Sequence, residues 1–140
     1  MRILIDTNVI IDALATRKPF NVSAEKIILL ASEKRVETFI TASTVTDIYY
    51  LIRKHLKDIN RAKEILNTLF RIINIINVDK NSCIKALDLD MPDYEDALLA
   101  TCAKKVKADF IVTRNLKDFE NSPVKTILPD EFISTIDNVN

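Results

Sequence analysis

The chain contains no glycine at all. P-loops and dinucleotide fingerprints need a residue without a Cβ where backbone comes close to phosphate, so both are excluded. Only two cysteines are present, Cys83 and Cys102, far apart and each within an apolar helical pattern. They are too few for a thiolate zinc site, and both read as small core residues. The single histidine, His55, stands in Ile52-Arg53-Lys54-His55-Leu56. Acid–base catalysis by a histidine pair is impossible, and His55 reads as a solvated helix residue. No apolar run approaches a membrane span, and Asp6 interrupts the N-terminus too early for a secretory hydrophobic stretch. These absences point to a cytoplasmic protein, no membrane partner, and chemistry that rests on carboxylates.

What is present suits one globular domain spanning residues 1–140, with 48% hydrophobic and 29% charged residues. Twenty basic and twenty acidic side chains cancel, so bulk charge does not draw the chain to nucleic acid. The local balance is uneven. Residues 79–96 hold six acids against two lysines, whereas residues 53–63 and 97–117 each hold five basic residues against one acid. Such blocks are commonly solvated faces. An acidic centre flanked by basic segments is also what a cation-dependent phosphodiesterase needs.

Arg2-Ile3-Leu4-Ile5 reads as a buried strand, and Asp6 stands where it stops. Residues 9–15 follow as a helix, with Asp6, Thr7 or Asn8 as its cap. A helix over residues 23–34 carries Ile27, Leu30 and Ala31 on one side, and Thr38-Phe39-Ile40-Thr41 is a second strand. Ser43 or Thr44 caps a helix with Val45, Ile48, Tyr49, Ile52 and Leu56 inward. The helix from Asp58 to Arg71 turns Ala62, Ile65, Leu66, Leu69 and Phe70 inward, and Ile75 to Val78 is a third strand. Asp79 caps a helix that Met91-Pro92 stops, and Asp93 caps the next. Phe110 to Thr113 is a fourth strand, Val124 to Leu128 an edge strand, and Pro129 opens a final helix. Short apolar strands alternating with helices predict an α/β fold, a parallel sheet covered on both faces.

In such a sheet, ligands gather at the carboxyl edge of the strands. Asp6 ends the first strand, Asn115 and Asp118 follow the fourth, and Asp47 lies near the start of the helix after the second. Asp96, in the first turn of the helix before strand four, comes to the same edge, with Asp93 and Glu95 close by. Four carboxylates from distant parts of the chain therefore converge, and they repel unless a cation sits among them. Oxygen ligands favour Mg²⁺ or Mn²⁺. The plainer reading, that each acid is a helix cap, leaves Asp96 and Asp118 unexplained.

Leu4-Ile5-Asp6-Thr7-Asn8-Val9-Ile10, Asp93-Tyr94-Glu95-Asp96-Ala97-Leu98 and Asp109-Phe110-Ile111-Val112-Thr113-Arg114-Asn115-Leu116-Lys117-Asp118-Phe119 resemble the PIN-domain family. The size and the late segment are similar to its small prokaryotic, VapC-like members, many of which are ribonuclease toxins paired with a protein antitoxin. The resemblance implies a three-layer α/β/α fold and a nuclease centre binding Mg²⁺ or Mn²⁺. Asp6, Asp47, Asp96 and Asp118 would be the catalytic acids, with Asp6, Asp96 and Asp118 as metal ligands. The second slot, usually glutamate, holds the shorter Asp47. Thr7, Asn8, Asp93 and Asn115 would orient the ligands, and Arg114 and Lys117, in the adjoining loop, are candidate phosphate contacts or plain solvated charges. Asp12 would be a supporting residue at most. The implied substrate is RNA, hydrolysed at phosphodiester bonds, with an antitoxin and a second copy of the chain as candidate partners.

Two other classes remain open. A PIN-like module with a degraded centre would hold RNA or a protein without cutting, and Asp47 in the second slot favours it. A phosphoacceptor domain of the receiver type wants an acid pair at the first strand and a late lysine, and this chain has Asp6 alone and Thr113-Arg114.

Overall fold

A computed structural model describes residues 1–139. Five strands form one sheet: β1 (Arg2–Ile5), β2 (Glu37–Thr41), β3 (Asn74–Ile76), β4 (Phe110–Val112) and β5 (Thr126–Ile127). Their order is β3-β2-β1-β4-β5, and every pairing is parallel. The strand that begins the chain is thus the central one. Leu4 stands between Phe39 of β2 and Ile111 of β4.

Seven helices complete the described residues: α1 (Thr7–Leu14), α2 (Asn21–Ser32), α3 (Val45–Leu56), α4 (Ile59–Ile72), α5 (Lys80–Ala86), α6 (Tyr94–Lys105) and α7 (Pro129–Val139). Alternation along β1 divides them into two layers, because successive side chains of a strand point to opposite faces. Ile3 and Ile5 join the core under α1, α2, α3, α4 and α7, with Ile10, Ile27, Ile52, Leu69 and Phe132. Leu4 turns the other way, into the core under α6 with Leu99, Cys102 and Ile111. The result is the three-layer α/β/α arrangement expected from the pattern of strands and helices.

Local chemistry explains most element ends. The side chains of Asp79 and Asp93 accept the Ser82 and Asp96 amides at 2.9 Å, capping α5 and α6 as the sequence predicts. The start of α3 differs from expectation. A 3-10 turn over Ala42–Thr44 leads into it, and the Thr44 hydroxyl donates to the Thr41 carbonyl at 3.0 Å instead of capping. Phe70, expected inward, is exposed: Ala62, Leu66 and Leu69 already fill the buried stripe of α4. The edge strands are shorter than predicted, β3 ending at Ile76 and β5 covering two residues. Cys102 is buried, Cys83 half-buried, and His55 exposed in the last turn of α3. No described helix is long and apolar enough to cross a membrane.

Candidate functional site

The site is built where β1 and β4 end side by side. The Asp6 amide donates to the Val112 carbonyl at 3.0 Å, extending the sheet pairing, while its own carbonyl accepts the Val9 and Ile10 amides that open α1. Its backbone is therefore held by a strand on one side and a helix on the other. Asp6 occupies the cap position of α1, but its side chain does not cap. Oδ2 instead accepts the Thr113 hydroxyl at 2.9 Å. Thr113 is fully buried just past β4, and its Oγ1 also accepts the Asn115 amide at 3.0 Å. Burial pushes the Asp6 carboxyl above its ordinary pKa. Asp118 adds to that shift, whereas the Thr113 hydroxyl, the Thr7 amide and Arg114 oppose it.

Asp96 is half-buried in the first turn of α6, its amide fixed by the Asp93 cap. Its pKa is pushed up to about 7, first by burial and then by the charges of Asp93, Asp6, Asp118 and Glu95. Asp118 lies exposed in a 3-10 turn, Leu116–Phe119. Asp6, Asp96 and Asp118 are thus within electrostatic reach of one another, although 112 positions separate the first from the last. Asp47, exposed in the first turn of α3, meets this group through Glu95, whose pKa rises by burial and then by Asp47, Asp93 and Asp6.

None of Asp6, Asp96 and Asp118 forms an ion pair among the described residues. Nor do any three His, Cys, Asp or Glu side chains stand together as a closed metal-binding set among them. The donor chemistry nonetheless suits a hard divalent cation, with oxygen-only groups and uncompensated negative charge. Thr7, next to Asp6, also keeps a buried hydroxyl oxygen without a hydrogen-bond partner.

The remaining predicted residues are distributed around this centre. Asn8 is half-buried in the first turn of α1, Asn115 is exposed and tied to Thr113 through its amide, and Lys117 is exposed beside Asp118. Arg114, expected at phosphate, has its charge matched inside the protein. Its Nε donates to Asp12 Oδ2 at 2.6 Å and its Nη2 to Oδ1 at 3.2 Å. The same guanidinium lies 4.0 Å from the centre of the Phe20 ring. Asp12 is fully buried, with Arg17 a further 3.8 Å neighbour.

Asp12 and Thr113 are the residues whose part the sequence reading missed. The available signal was an aspartate among Val9, Ile10, Ile11 and Leu14, an acid inside an apolar stripe that demands a buried cation.

A family model described as the PIN domain matches residues 2–117. No curated protein sequence gives a match. Among solved structures, VapBC2 from Rickettsia felis bound to a promoter DNA fragment aligns with TM-score 0.69 and 20% identity, over 91% of this chain and 98% of that one. FitAcB from Neisseria gonorrhoeae aligns with TM-score 0.65 and 19% identity, over 91% and 97%. VapBC-1 from nontypeable Haemophilus influenzae aligns with TM-score 0.62 and 16% identity, over 93% and 99%. At these identities the likeness is one of fold.

Proposed function

The chain belongs to the PIN-domain family, and from that premise we propose that it is a metal-dependent endoribonuclease, the toxin of a toxin–antitoxin pair. One observation carries the reading. Asp6, Asp96 and Asp118 share one edge of the sheet without forming an ion pair among the described residues, and burial, followed by the charges of Asp93, Asp6 and Asp118, lifts Asp96 to about 7. A fold does not keep such a cluster for stability, since each uncompensated acid costs it.

Asp6, Asp96 and Asp118 would hold Mg²⁺ or Mn²⁺, which when bound lowers the pKa of a water and offsets charge on the phosphodiester. Thr113 fixes the rotamer of Asp6, and the Asp93 cap fixes the turn that presents Asp96. Asp47 and Glu95 add negative charge at the rim, and Lys117 stands as a phosphate contact. Arg114 acts instead through its pairing with Asp12. The likeness to VapBC and FitAcB complexes supports a protein antitoxin as partner, and the absence of a spanning helix among the described residues accords with action in the cytoplasm.

The test is cleavage of mixed cellular RNA by the purified chain with Mn²⁺ or Mg²⁺ against an EDTA control. Asp6→Asn and Asp96→Asn should each reduce metal-dependent cleavage by on the order of a hundredfold or more while the fold is retained. Wild-type activity in either variant overturns the assignment. A non-cutting binding module is the second reading, favoured by the shorter, exposed Asp47 in the second slot and by the lack of a closed set of three ligating side chains among the described residues. Calorimetric titration with Mn²⁺ separates the two: a silent module takes up no Mn²⁺ in a manner that Asp96→Asn removes.

A further inference from the structure

Beside the acids, the start of α2, the loop after β4 and the start of α7 enclose a cavity of about 340 Å³ lined by Phe20, Arg114, Leu128, Pro129 and Asp130. That volume falls within the range of small-ligand sites, roughly 300–1,000 Å³. Phe20 and Arg114 form one stacked wall: the guanidinium lies over the Phe20 ring at 4.0 Å from its centre, and the ring, 46% exposed, keeps its other face free.

The buried Asp12 holds that guanidinium by two bonds, so the plane is fixed before any ligand arrives and its charge is already matched. A guanidinium so placed is poorly suited to gripping phosphate and well suited to stacking. Leu128 and Pro129 add an apolar floor. Asp130, its carboxylate accepting the Ser23 hydroxyl, sets a hydrogen-bond acceptor at the rim. Arg114 directly follows Thr113, whose hydroxyl donates to Asp6, so this wall of the cavity adjoins the Asp6 side of the acids.

We propose that this cavity, walled by Phe20 and the Asp12-anchored Arg114, is a nucleobase subsite that takes an unstacked base of single-stranded RNA next to the scissile phosphate. Single-stranded RNA is recognised in this way, by bases splayed onto aromatic rings and guanidinium planes. Stacking on such a surface tolerates all bases, and the acceptor at Asp130 adds attraction for bases bearing an exocyclic amino group. The inference rests on RNA being the substrate, and its test separates the two.

The first measurement is made in EDTA, where no cleavage is needed. A single-stranded oligoribonucleotide carrying 2-aminopurine is titrated with the full chain, and both the affinity and the quenching of the base are read. Phe20→Ala should weaken binding about tenfold, within the range that base–aromatic stacking supplies, and should abolish the quenching. Phe20→Leu, which keeps apolar bulk without the ring, should behave like Phe20→Ala, and Phe20→Trp should restore both signals.

The second measurement is cleavage in Mn²⁺ of a set of oligoribonucleotides, each abasic at one position. One abasic position should cost the wild type about tenfold in kcat/KM, carried in KM, and cost Phe20→Ala nothing further. Wild-type binding and quenching by Phe20→Ala, or abasic and Phe20 losses that simply add, overturn the subsite. Normal cleavage with no dependence on Phe20 sinks the subsite and leaves the nuclease standing. Phe20-dependent quenching without any Mn²⁺-dependent cleavage sinks the nuclease and leaves the subsite.

Discussion

Thr113 uses one hydroxyl for two bonds, donating to Asp6 and accepting from the Asn115 amide. Replacing it with valine, nearly the same shape, leaves a buried carboxylate and a loop amide without their partner. Thr113→Val should therefore lower unfolding free energy by about 1–3 kcal/mol in urea titration and reduce cleavage, while Thr113→Ser keeps both. A valine variant as stable and as active as the parent would show that Asp6 needs no such support. Asp6, Asp96 and Asp118 could be placed at one edge from the sequence, because strand and helix order dictate where carboxyl ends and helix starts fall. The partners of Thr113 and Asp12 could not. Their bonds link residues 102 to 107 positions apart, and residue type reveals that a polar group needs a partner without revealing which one.

Helix starts and helix ends were unequally legible. An aspartate before an apolar run announces itself, as Asp79 and Asp93 do, whereas α3 begins through a 3-10 turn whose threonine pairing leaves no simple spacing. Helix ends usually declare themselves by glycine, and this chain has none. Lys57 closes α3 in the left-handed region, with φ 57° and its amide bonded to the Arg53 carbonyl at 2.8 Å, and Lys34 and Lys107 adopt similar angles. That conformation costs a residue with a Cβ about 1–2 kcal/mol. Lys57→Gly relieves it but enlarges the freedom of the unfolded chain, which returns about 0.4–1 kcal/mol. The net expectation is a gain of roughly 0.5–1 kcal/mol, seen as a rise in Tm of about 2–4 °C. A lower Tm would mean that the lysine makes contacts worth more than its backbone strain.

For the molecule as a whole, the acid cluster ties stability to pH and to metal. Asp96 ionises near 7 in the folded chain against an ordinary 3.8, so between those values the folded state binds more protons than the unfolded state. Stability from this group is accordingly greatest below about 3.8, falls as pH rises, and is lowest above 7. Asp96→Asn removes that slope. Without metal at pH 8 it should melt a few degrees above the parent, on the order of 1 kcal/mol after allowing for solvent screening, and the gap should close toward pH 4. Mn²⁺ should raise the Tm of the parent and not of the variant. A gap independent of pH would detach Asp96 from the cluster.

The central position of β1 has a consequence for synthesis on the ribosome. β1 is flanked on one side by β4, which is made about a hundred residues later, and Asp6 and Asp12 wait for Thr113 and Arg114. At about 5–20 residues added per second, β1 spends several seconds with one of its two neighbouring strands still untranslated. The acid pocket is thus among the last parts to close, and a prematurely terminated chain cannot assemble it.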